Sequence, residues 1–263
     1  MAGTVTLAPT GADGVATLTL AHPGKLNAID IAMWRELRAL FERLQALPPG
    51  EAPRAVIVRG ADGQFASGGD IAEFAGFRFD AARLRDFHEH VVAPALHAML
   101  DCELPLVAQI EGHCLGGGFE IAACCDIRVC GDGSRFGAPI ARLGFPMAPL
   151  ELQVVARVAS GPVLREMLLE ARLLGAAAAL QHGLVHAAVP DDEVAAVAVQ
   201  RARQIAQLAP QALRLNKRTL RQLERDGPTE AERLAHYAYA DSEEHREGIA
   251  AFLEKRTPRF GRA

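Results

Sequence analysis

A chain of 263 residues, half of them hydrophobic and 23% charged, has ordinary globular composition and length for one large domain, or one with a small appendage, rather than two. The net charge of -4 is mild, and Lys and Arg are scattered among Asp and Glu, so the basic stripe that a nucleic-acid partner needs is missing. No apolar run reaches the roughly 18 residues of a membrane helix, and Met1–Pro9 lacks the basic start and apolar stretch of a signal peptide; a cytoplasmic protein without membrane partners is expected.

The first strand signal is Gly14–Leu20, where apolar and polar residues alternate before His22-Pro23-Gly24 breaks the run. Asp30 reads as the N-cap of a helix over Ile31–Leu47, whose apolar residues Met33/Trp34, Leu37, Leu40/Phe41 and Leu44 recur every three or four positions until Pro48-Pro49. A β-branched strand follows at Ala55–Arg59, stopped by Gly60 and Gly63. The rhythm repeats with helical spacing over Phe87–Leu100 and an apolar strand at Leu106–Ile110, which predicts layered α/β architecture. A helix from Gly118 to about Cys125 and a strand at Ile127–Cys130 come next. Beyond Pro149 the pattern is helical, with one strand at Val185–Val189, a helix opened by Asp191-Asp192-Glu193 and another by Pro210. A boundary near 190 therefore separates a mixed α/β part, 1–190, from a helical region, 191–263, expected to pack on its own core or on a neighbouring subunit.

Five cysteines crowd the middle of the chain without paired CxxC spacing, which favours small buried hydrophobes over structural zinc or a disulfide framework. The histidines offer no HExxH, and His88, His90 and His97 fall on a surface-like helix, so no metal is expected. Walker A, GxGxxG and GxSxG patterns are absent.

Two glycine-rich turns stand out, Phe65–Ile71 and Gly112–Glu120, each after a buried-looking strand and each leading into a helix. Glycines there let backbone N–H groups approach a ligand, and the helix adds its positive end; either turn alone is equally well an ordinary tight turn. Together they offer two backbone donors and a carboxylate, Glu120, three residues past one of them. Burial would raise the Glu120 pKa and the helix N-terminus would lower it, and the sequence leaves that balance open.

The FAxGxDI turn, the gap of about 40 residues, the GGGxE turn and the downstream FGxP resemble the enoyl-CoA hydratase/isomerase (crotonase) superfamily over nearly the whole chain. Lys25–Ala28 is similar to that family's early substrate loop, and Arg246–Arg256 to its carboxy-terminal signature. The resemblance implies a spiral of β-β-α turns with a C-terminal helical trimerisation region, a homotrimer or homohexamer, and an acyl-CoA thioester as substrate. CoA enters as part of that substrate, with no separate cofactor. It implies that the amides of Gly69 and Gly117 hold the thioester oxygen and that Glu120 is the acid/base. Leu26, Ala28, Ala66, Gly68, Asp70 and Ile71 would line the CoA groove, partly through backbone atoms. Phe252 and Lys255 would either reach a neighbour's CoA or lie on an exposed amphipathic helix.

One departure matters. The hydratases' second glutamate belongs to an FGxPE turn, which here reads Phe136-Gly-Ala-Pro-Ile140. Ile140 cannot orient water, and general acid/base groups contribute roughly 10²–10⁴ each. With one carboxylate, a 1,3-proton shift, single-base hydration or decarboxylation of an acyl-CoA is expected, in a drier pocket; a CoA-thioester binding protein without turnover is the alternative. Glu151 either replaces the missing carboxylate or favours the start of a helix at Leu150.

Overall fold

A computed structural model describes residues 2–48 and 50–261; Pro49, the second residue of the expected helix stop, lies outside them. Nine strands are found among the described residues: β1 Thr4–Leu7, β2 Val15–Ala21, β3 Ala55–Gly60, β4 Leu106–Ile110, β5 His113–Leu115, β6 Ile127–Gly131, β7 Arg135–Gly137, β8 Leu174–Gly175 and β9 Ala187–Val189. Six form one sheet in the order β1-β2-β3-β4-β6-β9, antiparallel only between β1 and β2. The other three form a second sheet in the order β5-β7-β8.

The alternation of side chains along β3 explains why the large sheet has helices on both faces. Val56 and Val58 point into the main core, with Leu18, Leu20, Leu106 and Ala108, against the helix Ile31–Ala46 and the helix Ala93–Asp101. Ala55 and Ile57 point the other way, with Val15 and Val107, onto Ala198, Ala202 and Ala206. The helix Val194–Ala206 thus lays a stripe of small residues on the sheet's second face, as its spacing of four requires. A residue range beginning at 191 therefore contributes to the core of the preceding segment as well as to the helical tail. The next helix, Pro210–Leu223, is tied to it through Lys217, whose buried Nζ donates to Leu104 O at 2.8 Å and Asp126 Oδ2 at 2.7 Å.

Elements differ from expectation in four places. β1 forms where only a terminal segment was expected, anchored when Asp30 accepts from Gly3 N at 2.9 Å while also capping its own helix through Met33 N. The expected strand over Val185–Val189 is shorter, and β8 pairs with β7 although two residues carry no periodic signal. The helical stretch 87–100 opens as a π-helix over Phe87–Val92. All five cysteines are buried. No helix among the described residues is long and apolar enough to cross a membrane.

Candidate active site

The two glycine turns run side by side. Ala66 N donates to His113 O at 2.8 Å and Leu115 N to Ala66 O at 3.0 Å, so the first turn continues the small sheet beside β5. Gly68 takes φ +112° and Gly116 φ +48° with ψ −118°, conformations open to glycine and costly to other residues. A Cβ on Gly116 would lie 3.6 Å from Gly68 Cα, which measures how closely the two backbones approach. The loop Lys25–Ala28 braces this pair: Ser67 N donates to Leu26 O, Ile29 N to Gly68 O and Asp70 N to Ile29 O, all at 2.8–3.0 Å. Asn27, at φ +55°, accepts from His22 N and donates to Ala61 O and Gln64 O.

With the neighbouring main-chain groups bonded in this way, the amides of Gly69 and Gly117 donate to no other group among the described residues. Gly117 opens the helix Gly117–Ala123, where a first-turn N–H has no intrahelical acceptor. Both glycines line one pocket, and so does Glu120.

Glu120 is 8% exposed, and its carboxyl makes no hydrogen bond to any described residue. Burial pushes its pKa up to about 8, the Glu151 carboxylate adds in the same direction and the Arg78 guanidinium opposes both. Of the two influences named from the sequence, desolvation is the leading cause of this rise.

Of the residues singled out in the sequence, Gly68, Gly69, Ile71, Gly117, Glu120 and Ile140 meet at this pocket. Leu26, Ala28, Ala66, Asp70, Phe252 and Lys255 do not line it. Leu26 is exposed on the adjoining loop, with Ala28 buried two residues on. Ala66 is fully buried behind the turn, and its main-chain N–H and C=O are both taken by β5. Asp70 receives Lys25 Nζ at 2.6 Å and caps the short helix Ile71–Phe74. Its burial is more than offset by these bonds, and its carboxyl is held below the usual range. Phe252 and Lys255 are exposed at the far end of the chain.

Two residues in the pocket wall, His88 and Arg78, were not read as site residues, and a third, Glu151, was read with two alternatives. His88, expected on a surface-like helix, faces the pocket from the π-turn and meets Glu151 Oε1 through Nδ1 at 3.0 Å. Glu151 does stand in the first turn of a helix, Pro149–Val155, yet it is only 2% exposed, and its Oε2 is buried without a hydrogen-bond partner. Arg78 comes from the irregular stretch after Ile71–Phe74, its guanidinium lodged between the Phe74 and Phe145 rings. Beside Ile140 the pocket wall thus carries two carboxyl groups, an imidazole and a guanidinium.

Fold and site together define a class, an α/β protein in which two glycines with unpartnered amides and a desolvated carboxyl line one cleft. The enoyl-CoA hydratase/isomerase family model matches residues 10–263. The 2,3-dehydroadipyl-CoA hydratase of Escherichia coli is 34% identical over 250 residues, covering 94% of each chain. The mitochondrial enoyl-CoA hydratase domain-containing protein 3 of Rattus norvegicus is 30% identical over 254 residues, covering 94% of this chain and 81% of the relative. The crystal structure of an enoyl-CoA hydratase/carnitine racemase from Magnetospirillum magneticum superposes with a TM-score of 0.92 at 38% identity, covering 98% of this chain and 96% of that one. The chain belongs to the enoyl-CoA hydratase/isomerase family and has the crotonase fold.

Proposed function

We propose that the protein is an enoyl-CoA hydratase in which Gly69 and Gly117 hold the thioester oxygen, Glu120 delivers a proton to the α-carbon and Glu151 activates the water. The observation that carries the reading is Glu120: a carboxyl buried without a hydrogen-bond partner, one helical turn beyond a free amide, with a pKa of about 8. A group of that kind carries its proton at neutral pH and gives it up without first breaking a bond to the protein.

The reaction puts negative charge on the thioester oxygen as water adds across the conjugated double bond. Preorganised amides stabilise that charge, and removing one such donor typically costs about 10²–10³ in rate. Hydration also needs a group to take a proton from water. Ile140 cannot, but Glu151 enters the same pocket from the next helix with one oxygen held by His88 and the other without a partner. Two carboxyls in one pocket divide the roles when repulsion keeps one protonated, which is the direction in which Glu151 moves Glu120. Leu26 and Ile71, more than half exposed beside the glycine turn, are positioned for CoA, with Ala28, Ala66, Gly68 and Asp70 supporting them. Exposure of Leu234, Tyr237, Ile249, Phe252 and Leu253 in the last helices supports assembly as a trimer or a hexamer.

A second reading, the 1,3-proton shift of a 3-enoyl-CoA, is favoured by Ile140 lying in the pocket beside a carboxyl with no bonding partner of its own. Incubation with crotonyl-CoA, a 3-enoyl-CoA and methylmalonyl-CoA separates the cases. Hydration of the first, abolished in Glu120→Gln and strongly reduced in Glu151→Gln, is the expected result. Turnover of only the second substrate gives the isomerase, and of only the third a decarboxylase. Binding with no turnover of any gives a non-catalytic thioester-binding protein.

A further inference from the structure

We propose that the pocket selects acyl-CoA thioesters whose acyl group ends in a carboxylate, with the Arg78 guanidinium as the group that receives it. The inference rests on the acyl-CoA reading above and names the substrate class within it.

Arg78 lines the pocket, half-buried, with its Nε buried and unpartnered. Its guanidinium donates no hydrogen bond to any described residue, and no carboxylate lies within ion-pair distance of it; Glu151, the nearest candidate in the wall, is joined to His88 instead. The side chain is nevertheless well placed. Its Cζ lies 3.6 Å from the centre of the Phe145 ring and 4.1 Å from that of Phe74, and those rings meet edge to face at 76°. Such a corner fixes a flat cation through its π contacts while leaving in-plane N–H donors to be satisfied by something else.

Burial works against the charge of Arg78 while the Glu151 carboxylate supports it from a distance. An alkyl tail packed on this wall would desolvate the guanidinium further and give nothing back. A carboxylate would accept two parallel N–H bonds, the pairing that a guanidinium fork fits best. A site built to hydrogen-bond a substrate group discriminates against an isosteric substrate lacking it, because its own polar atoms are then left unpaired. Glu120, protonated at neutral pH, adds no like charge against such a tail, and the Glu151 carboxylate has one oxygen bonded to His88.

The test is a calorimetric titration of the full chain with carbon-matched, unreactive pairs: succinyl- and butyryl-CoA, glutaryl- and valeryl-CoA, adipyl- and hexanoyl-CoA. In at least one pair the carboxylate member is expected to bind the wild type at least about tenfold tighter, the scale of one charge-assisted contact. Arg78→Met, which keeps an apolar chain between the two rings, is expected to remove that ratio while leaving the affinity for the alkyl member unchanged or higher. Arg78→Lys, a cation without the fork, is expected to recover only part of it. Equal or tighter binding of every alkyl member to the wild type overturns the inference, as does an equal loss for both members in Arg78→Met. The ratio is read without turnover, so a protein that binds these thioesters selectively but is inert towards enoyl-CoA sinks only the hydratase reading; one that binds none sinks both.

Discussion

Glu120 carries two opposed demands, and they appear at different pH values. In the unfolded chain it ionises near 4.5, whereas in the folded protein burial holds the proton until about 8. Between those values the native state binds a proton that the unfolded state has released, so this group makes stability fall as pH rises through the window; below 4.5 its contribution vanishes. Glu120→Gln removes the buried charge, so its melting temperature is expected to exceed that of the wild type by several degrees at pH 9, with the gap narrowing towards pH 5. A gap independent of pH in scanning calorimetry would show that the carboxyl is not desolvated. The same variant is expected to lose roughly 10²–10⁴ of kcat/KM on crotonyl-CoA. Because hydration uses Glu120 protonated, wild-type kcat/KM is expected to fall above pH 8, whereas a 1,3-proton shift that begins with the ionised carboxylate would rise through that pH. Glu151→Gln is expected to depress hydration by a comparable factor and to spare any 1,3-shift, which needs no water; equal effects on both reactions would return Glu151 to a structural role.

The elements that carry Gly69 and Gly117 are turns, and a single asparagine braces them. Asn27 is 3% exposed, sits in a left-handed conformation that asparagine tolerates better than most residues, and makes three hydrogen bonds, one back to His22 and two that join the Lys25–Ala28 loop to Ala61 and Gln64. Asn27→Ala gives up those bonds and the favourable backbone preference, so a loss of roughly 2–4 kcal/mol is expected in urea denaturation. Its KM for an acyl-CoA is expected to rise while the pH limb near 8 remains; disappearance of that limb would mean the loop controls Glu120 itself. These turns were legible in the sequence because backbone approach demands glycine at fixed spacing, and Glu120 was legible because it follows one of them on a helix. Arg78 and His88 were not, and Glu151 was legible only as one of two alternatives. Arg78 belongs to a segment of no regular period, and the π-turn carries His88 in a register that a 3.6-residue count does not describe. Glu151 occupies a helix start where an acidic residue already has a sufficient local reason, so the sequence left it with two alternatives and only the structure reveals its burial in the pocket wall. The same limit applies to β8, since two residues paired by tertiary contact leave no pattern to read.

Across the whole molecule, the helix that carries Glu120 is held from behind by the carboxy-terminal region. Gly117–Ala123 presents Glu120 at its front, and just past its end Asp126 turns the chain into β6, with Oδ2 accepting from Leu106 N at 2.7 Å and from Lys217 Nζ at 2.7 Å. Lys217 also bonds Leu104 O, so one ammonium joins the helix Pro210–Leu223 to the entry of β4 and to the exit of the Glu120 helix. Truncating one member of a buried ion pair costs about 3–5 kcal/mol, but the Asp126 side chain is 34% exposed and water replaces part of what is lost. Lys217→Met keeps the apolar stem and removes the charge; a loss of about 2 kcal/mol is expected, equivalent to a fall of roughly 4–8 °C in melting temperature for a chain of this size. Lys217 does not line the pocket, so kcat and KM measured well below the transition are expected to match the wild type. A variant that melted normally yet lost turnover would mean that this contact sets the position of Glu120 rather than the stability of the fold.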